Sequence, residues 1–275
     1  MSLVSFLKDN GDVRERFRQE FKRPDFLAKK ELVASPLTTR YTTVGTAFDY
    51  LLRFFIQHLN PRTIDDGSWV AELSVEILAD EAKLYTKGKK IISRARKDLA
   101  VYLKNGQMSD ALIESALLLA TLDPIARAGV GHEMIGDRHK DDVQDLKNLI
   151  SAVNEKLFTA KNLCMINPTF GSASELVGGA DADLVLDDTI IDIKTTKKLY
   201  LDRTAFDQVL GYYVLHHISG VGELNPKPTI TKVAIYFSRY SYLYIIHLSE
   251  IIDPVTFPKF VRWFRKRAAE DFSSQ

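Results

Sequence analysis

Cysteine is almost missing from this chain: one residue in 275, Cys164, so no disulfide can close within it and an oxidising compartment is not called for. That cysteine lies in the apolar run Leu163-Cys164-Met165-Ile166, the setting of a small buried hydrophobe rather than of a nucleophile. No apolar stretch approaches the roughly 20 residues of a spanning helix. Residues 1–17 reach their charges before an apolar core of signal-peptide length has formed. The expectation is therefore a cytoplasmic chain with no membrane partner. A glycine-rich loop ending in lysine is also absent, so an ATP-driven step would belong to another subunit. No period of 20–50 residues recurs, which excludes a helical repeat array. Finally, no charge of one sign prevails: 37 Lys and Arg face 36 Asp and Glu, a formal net charge of +1. A polyanionic ligand would then need a local basic surface.

Such surfaces exist. Lys87, Lys89, Lys90, Arg94, Arg96 and Lys97 crowd one segment, and Arg262, Arg265, Lys266 and Arg267 another; a solvated helix face is the plain alternative for each. With 45% hydrophobic and 27% charged residues the composition is that of an ordinary globular chain. Residues 1–160 read as successive helices. Apolar residues recur at helical spacing over 46–58 (Ala47, Leu51, Phe54, Phe55), 70–85, 88–104, from Ser109 to Leu119, and from about residue 139 through Leu157. From about residue 160 the pattern changes to strands, predicted over 162–170, 180–186, 189–195, 231–237 and 242–248. A helix over 202–219 interrupts them, a Gly- and Pro-containing loop spans 221–228, and a C-terminal helix carries Phe260, Trp263 and Phe264. That order argues for an α/β fold with a mixed sheet and helices on its faces. A helical N-terminal region at 1–138 would extend the α/β core at 139–275.

The chemistry concentrates in Gly178-Gly179-Ala180-Asp181-Ala182-Asp183-Leu184-Val185-Leu186, then Asp187-Asp188, then Thr189-Ile190-Ile191-Asp192-Ile193-Lys194-Thr195. Side chains alternate faces along a strand, so Asp192 and Lys194 point the same way. If Asp187-Asp188 make a two-residue turn, residue 186 pairs with 189, 183 with 192 and 181 with 194. Opposed residues have Cβ atoms about 4.5–5.5 Å apart, so two carboxylates and an ammonium converge on one face. Facing aspartates repel, and aspartate is a poor strand former. A hard cation, Mg²⁺ or Mn²⁺, resolves the conflict. Lys194 would then orient an attacking water or stabilise charge on a phosphate. The alternative is a solvent-facing strand pair neutralised by Lys194 and Lys197. A calcium loop is excluded, because Leu186 stands where its sharp turn needs glycine and Val185 replaces a ligand.

These residues resemble the PD-(D/E)XK nuclease superfamily, whose signature is an aspartate opening one strand and a (D/E)-x-K on the next. Ile190-Ile191-Asp192-Ile193-Lys194-Thr195 is similar to the second part, and Gln208-Val209-Leu210-Gly211-Tyr212 is similar to the Q-x-x-x-Y helix of the RecB-like branch. Gln208 and Tyr212 share one helix face. The resemblance covers about residues 139–248. It implies a restriction-endonuclease-like core and Mg²⁺- or Mn²⁺-dependent hydrolysis of DNA phosphodiesters, exonuclease-like rather than sequence-specific. It also implies Asp183, Asp192, Lys194, Gln208 and Tyr212 as the catalytic set, and a helicase, repair or defence partner. The family's proline is replaced by Ala182 before Asp183 and by Ala180 before Asp181. Cross-strand geometry favours Asp183 as metal ligand, whereas the glycine three residues before Asp181 favours that residue. Glu175 is the nearest candidate for a further ligand. Where the RecB-like branch carries an early histidine, Gly45-Thr46-Ala47-Phe48-Asp49 has aspartate, with His132 and His139 as looser alternatives. Lys197, Lys198 and Arg203 are the candidate contacts to nucleic-acid phosphates. The competing reading is a catalytically silent nucleic-acid-binding or partner-binding module on the same fold.

Overall fold

The computed structural model of the chain describes residues 2–222 and 224–272. Helices α1 (Leu3–Asp9) and α2 (Gly11–Glu20) come first, and a strap without regular structure at 21–40 leads into α3 (Tyr41–Leu59). Then follow α4 (Val70–Ile77), α5 (Ala82–Asn105), α6 (Asp110–Ala120), α7 (Asp123–Ala128) and α8 (Lys140–Ser151). The strand region contains β1 (Cys164–Ile166), α9 (Ser172–Leu176), β2 (Leu184–Leu186), β3 (Thr189–Lys194), α10 (Arg203–Ser219), β4 (Lys232–Phe237) and β5 (Tyr242–His247). Short α11 (Leu248–Ile251) and α12 (Phe257–Phe272) complete it.

Most elements stand where their periodicity puts them. Ser109 caps α6 by accepting the Leu112 amide, and Asp202 caps α10 by accepting that of Ala205. The helix expected over 70–85 is instead two, broken at 78–81. Its second part runs on as α5, folded back so closely that a Cβ on Gly88 would lie 2.6 Å from a Val75 methyl. The strands expected over 162–170 and 180–186 shrink to three residues each. Asn167 takes a left-handed φ of 49° and α9 interrupts the run, so the chain leaves the sheet between them.

The sheet is mixed, in the order β1-β2-β3-β4-β5; β3 and β4 run parallel and all other neighbours antiparallel. Parallel neighbours need a crossover, and α10 supplies it. In the hairpin Leu186 pairs with Thr189 and Leu184 with Ile191, the register of a two-residue Asp187-Asp188 turn. Both turn aspartates fix it. The Asp187 carboxylate accepts the amides of Lys161, Asn162 and Leu163, which outweigh its burial and hold its pKa below the usual range. Asp188 pairs with Lys232 at 2.9 Å, joining the turn to the start of β4.

Each face of the sheet has its own core. Leu184, Ile191, Ala234 and Tyr236 pack with α3, α5, α6 and α8; Val185, Ile190, Val233 and Ile235 pack with α1, α2, α10 and α12. With both faces covered, β3 and β4 read as apolar runs rather than alternations. The first two helices therefore belong to the far face, beside the C-terminal helix. Phe6 and Phe17 meet Phe264 edge-on at 5.6 and 5.8 Å.

Residues 21–40 carry the chain from one face to the other, and a buried ion pair secures the crossing. Arg239, 1% exposed, donates to both oxygens of Asp145 on α8 at 2.8 and 3.0 Å and to the Ala34 carbonyl at 3.0 Å. Its own carbonyl accepts the amides of Val33 and Ala34. Removing one partner strands a buried charge. Arg239→Ala is expected to destabilise by about 3–5 kcal/mol in urea unfolding, and the pair Arg239→Met with Asp145→Leu by clearly less. Equal losses would place the stabilisation elsewhere.

Candidate active site

The hairpin and α10 bring the titratable residues together where β3 ends beneath α3. Asp183, just before β2, turns its carboxylate onto the neighbouring strand and accepts the Ile193 amide at 2.6 Å. Asp192, 1% exposed, lies on the face of β3 that looks at α10. Two residues on, Lys194 Nζ sits 2.9 Å from Asp192 Oδ2 and donates to Gln208 Oε1 at 2.9 Å. Gln208 Nε2 in turn lies 2.8 Å from the Tyr212 hydroxyl oxygen, whose ring stacks on Phe170 at 5.6 Å. The spacing of four on α10 thus makes a relay that fixes the lysine. A Cβ on Gly211, in the same turn, would come within 3.0 Å of Leu3; glycine here lets α1 press α10 toward the sheet.

Two cavities meet at this point. One, of about 330 Å³, holds Asp183, Asp192, Lys194 and Gln208 under Thr42, Gly45, Thr46 and Asp49 of α3. The other, of about 220 Å³, lies on the far side of Asp183 and adds Arg53, Asp181 and Tyr212. Asp49, Asp183 and Gln208 line both. The first is of the size of ligand clefts and stands at the carboxyl end of parallel strands, the usual place for a site in such a sheet.

Burial shapes the electrostatics. Desolvation raises Asp192 to about 7, opposed by Lys194 and reinforced by the charge of Asp183. Desolvation and the charge of Asp49 raise Asp183 to about 6. Burial also raises Asp49, against the attraction of its ion-pair partner Arg53. Lys194 goes the other way: burial pulls it down, but Asp192 and Asp183 outweigh that and hold it charged. Asp192 Oδ2 is buried with Lys194 as its ion-pair partner at 2.9 Å, whereas Asp49 Oδ1 is buried with no hydrogen bond. A buried oxygen without a hydrogen bond is costly, and desolvated carboxylates so placed fit a bound cation. Among the described residues no group of three or more His, Cys, Asp or Glu gathers closely enough to hold a metal ion. The donors on offer are the two carboxylates of Asp183 and Asp192, enough for an ion that keeps several waters, as Mg²⁺ does.

The remaining predicted residues divide. Asp181 lines the second cavity but does not oppose Lys194: it pairs with Thr169, because β2 starts only at residue 184. Glu175 is exposed on α9 and lines neither cavity. Lys197 and Lys198 are exposed just past Thr196 at the rim of the first. Arg203 is held by Asp207 and by the Phe21 carbonyl and lies outside both. Half of the basic segment of α5 is spent in ion pairs, Lys89 with Glu76, Arg94 with Glu114 and Arg96 with Glu72. Of the candidates for an early site residue, His132 faces Glu81 and His139 lies by a separate cavity beside Arg138. Asp49 is the residue that reaches the site. Its signal was its place after Gly45-Thr46; what sequence alone lacked was any means of laying α3 across the hairpin.

The comparisons with known proteins are negative. No family model, no curated protein and no solved structure matches this chain.

Raised carboxylates have a thermodynamic sign. Between 3.8 and about 7 the folded protein keeps protons on Asp183 and Asp192 that the unfolded chain has released. Stability in EDTA therefore falls as pH climbs through that window. Asp192→Asn is expected to flatten the fall and raise the melting temperature at about pH 8. A variant that tracks wild type at every pH would assign the dependence to other groups.

Proposed function

We propose that the chain is a divalent-metal-dependent nuclease that hydrolyses DNA phosphodiesters on a restriction-endonuclease-like core of the PD-(D/E)XK type. One observation carries the reading: Asp183, Asp192 and Lys194 converge in one open cavity at the end of β3, with Gln208 and Tyr212 holding the lysine. Such an arrangement serves little purpose as scaffold. Two desolvated carboxylates share a cleft and a single ammonium, that of Lys194. The mixed α/β sheet flanked by helices agrees with the proposed core.

Asp183 and Asp192 would hold Mg²⁺ or Mn²⁺, which when bound supplies Lewis acidity toward phosphate and lowers the pKa of water. Hydrolysis forms a P–O bond from water and breaks the bond to the leaving sugar oxygen, which takes up a proton. Lys194 keeps its ammonium charged in the cleft and offers it to the phosphate or to the attacking water. Gln208 prevents that side chain from collapsing wholly onto Asp192, and Tyr212 fixes the rotamer of Gln208. Asp49 and Arg53 close the cavity from α3 as an ion pair, adding little net charge of their own. Lys197 and Lys198 stand where an entering strand would pass.

Labelled linear and circular DNA incubated with Mg²⁺, Mn²⁺ or EDTA tests the proposal. Cutting is expected with either metal and not with EDTA; linear-only cutting assigns it to ends. Lys194→Ala is expected to slow it by about 100-fold or more, while Asp183→Ala and Asp192→Ala abolish Mn²⁺ binding in calorimetry. DNA affinity that depends on salt but not on metal, with no cutting, would instead establish a binding module.

A further inference from the structure

On the side of Gln208 away from the carboxylates, a third cavity of about 110 Å³ opens between α1, α2 and α10. Its charge is lopsided: Lys8, Arg14, Arg18 and Arg203 face a single carboxylate, Asp207, in a chain whose net charge is only +1. Two of the cations form a frame. Arg203 donates to Asp207 at 3.0 Å and to the Phe21 carbonyl at 3.0 Å, and Arg14 donates to the Lys8 carbonyl. Arg203 Nη2 also pairs with Asp207 Oδ1 at 2.8 Å, and both atoms are buried. Asp207 therefore neutralises Arg203, and the excess positive charge rests on Lys8, Arg14 and Arg18. The side chains of Lys8 and Arg18 make no hydrogen bond or ion pair among the described residues, although Arg18 feels the charge of Asp207.

Four cations around one carboxylate, three of them without a carboxylate partner among the described residues, describe a receptor for a multivalent oxyanion. The cavity is well below the roughly 300 Å³ at which ligand pockets begin, too small for a nucleoside and suited to one phosphate group. Its position supplies the rest. Gln208 lines this cavity and the one that holds Asp183 and Asp192, and it grips Lys194 between them. We infer that the pocket is a phosphate subsite, taking one phosphate of the same nucleic-acid strand whose scissile bond lies at Asp183 and Asp192. This rests on the nuclease reading above. The phosphate is either the monoester at a strand end or a backbone diester; the chemistry of recognition is shared.

Fluorescent single strands carrying a 5′-phosphate, a 3′-phosphate or hydroxyls at both ends distinguish these sources. Affinity is read by anisotropy in EDTA, so that cutting does not intervene, for wild type, Arg18→Glu and Lys8→Ala. Arg18 and Lys8 are exposed on their helices, so the variants are expected to keep the wild-type circular dichroism. Arg18→Glu is expected to weaken binding by about tenfold, and each variant to lower the slope of log affinity against log salt by about 1. Loss confined to one end-phosphorylated strand identifies a terminal monoester, and equal loss on all three identifies a backbone diester. Unchanged affinity and slope in both variants, with metal-dependent cutting intact, would overturn the subsite alone. Failure of wild type to bind or cut any strand would overturn the subsite together with the nuclease.

Discussion

Desolvation of charge at the end of β3 is the constraint around which this molecule is arranged. Asp183 and Asp192 are drawn out of water by α3 above them and α10 beside them, and a like-charged pair in that position opposes the packing that buries it. Lys194 offsets part of the cost, and the relay through Gln208 and Tyr212 keeps the lysine from swinging away. If α3 were free to lift, the carboxylates would regain water and ordinary acidity. The site therefore needs a scaffold that holds α3 down against an electrostatic preference to separate.

That scaffold contains a buried charge pair of its own, and the contrast is informative. Arg239 meets both oxygens of Asp145 and a backbone carbonyl, and its own carbonyl takes two strap amides. Every strong demand there is answered, so the pair ties α8, the β4–β5 corner and the strap into one unit. At the site, by comparison, Asp183 and Asp192 share the one ammonium of Lys194, and Asp49 Oδ1 completes no hydrogen bond. Buried charge that is fully answered serves architecture; buried charge left short belongs where something else is meant to arrive.

What could be read from sequence was local. The Asp187-Asp188 turn set the β2–β3 register because a two-residue loop leaves no slack, and spacing of four placed Gln208 and Tyr212 on one face of α10. The mixed sheet followed from element order. Local pattern was silent on distance. Asp181 counted as opposite Lys194 only if the strand continued, and its partner Thr169 lies twelve residues back, past α9. Asp49 stood in a helix whose periodicity said which side was apolar but not which strand it would cross. Nor could the break after α4 be seen, since Val75 and Gly88 are apolar or small on either fold-back geometry. Nothing in the local pattern around Arg239 or Asp145 marks either as buried, and nothing short of the tertiary structure joins them.

The aromatic packing of α1 and α2 on α12 has a consequence in time. Arg267 pairs with Asp12 across 255 residues of chain, and Phe264 is the ring against which Phe6 and Phe17 close. Translation at about 5–20 residues per second separates those partners by on the order of tens of seconds. During that interval α1 can rest on α10, but Phe6 and Phe17 lack the ring they close on, and α2 lacks its partner across the Asp12–Arg267 pair. A nascent chain can thus carry its strand hairpin and carboxylates well before it owns a finished binding surface.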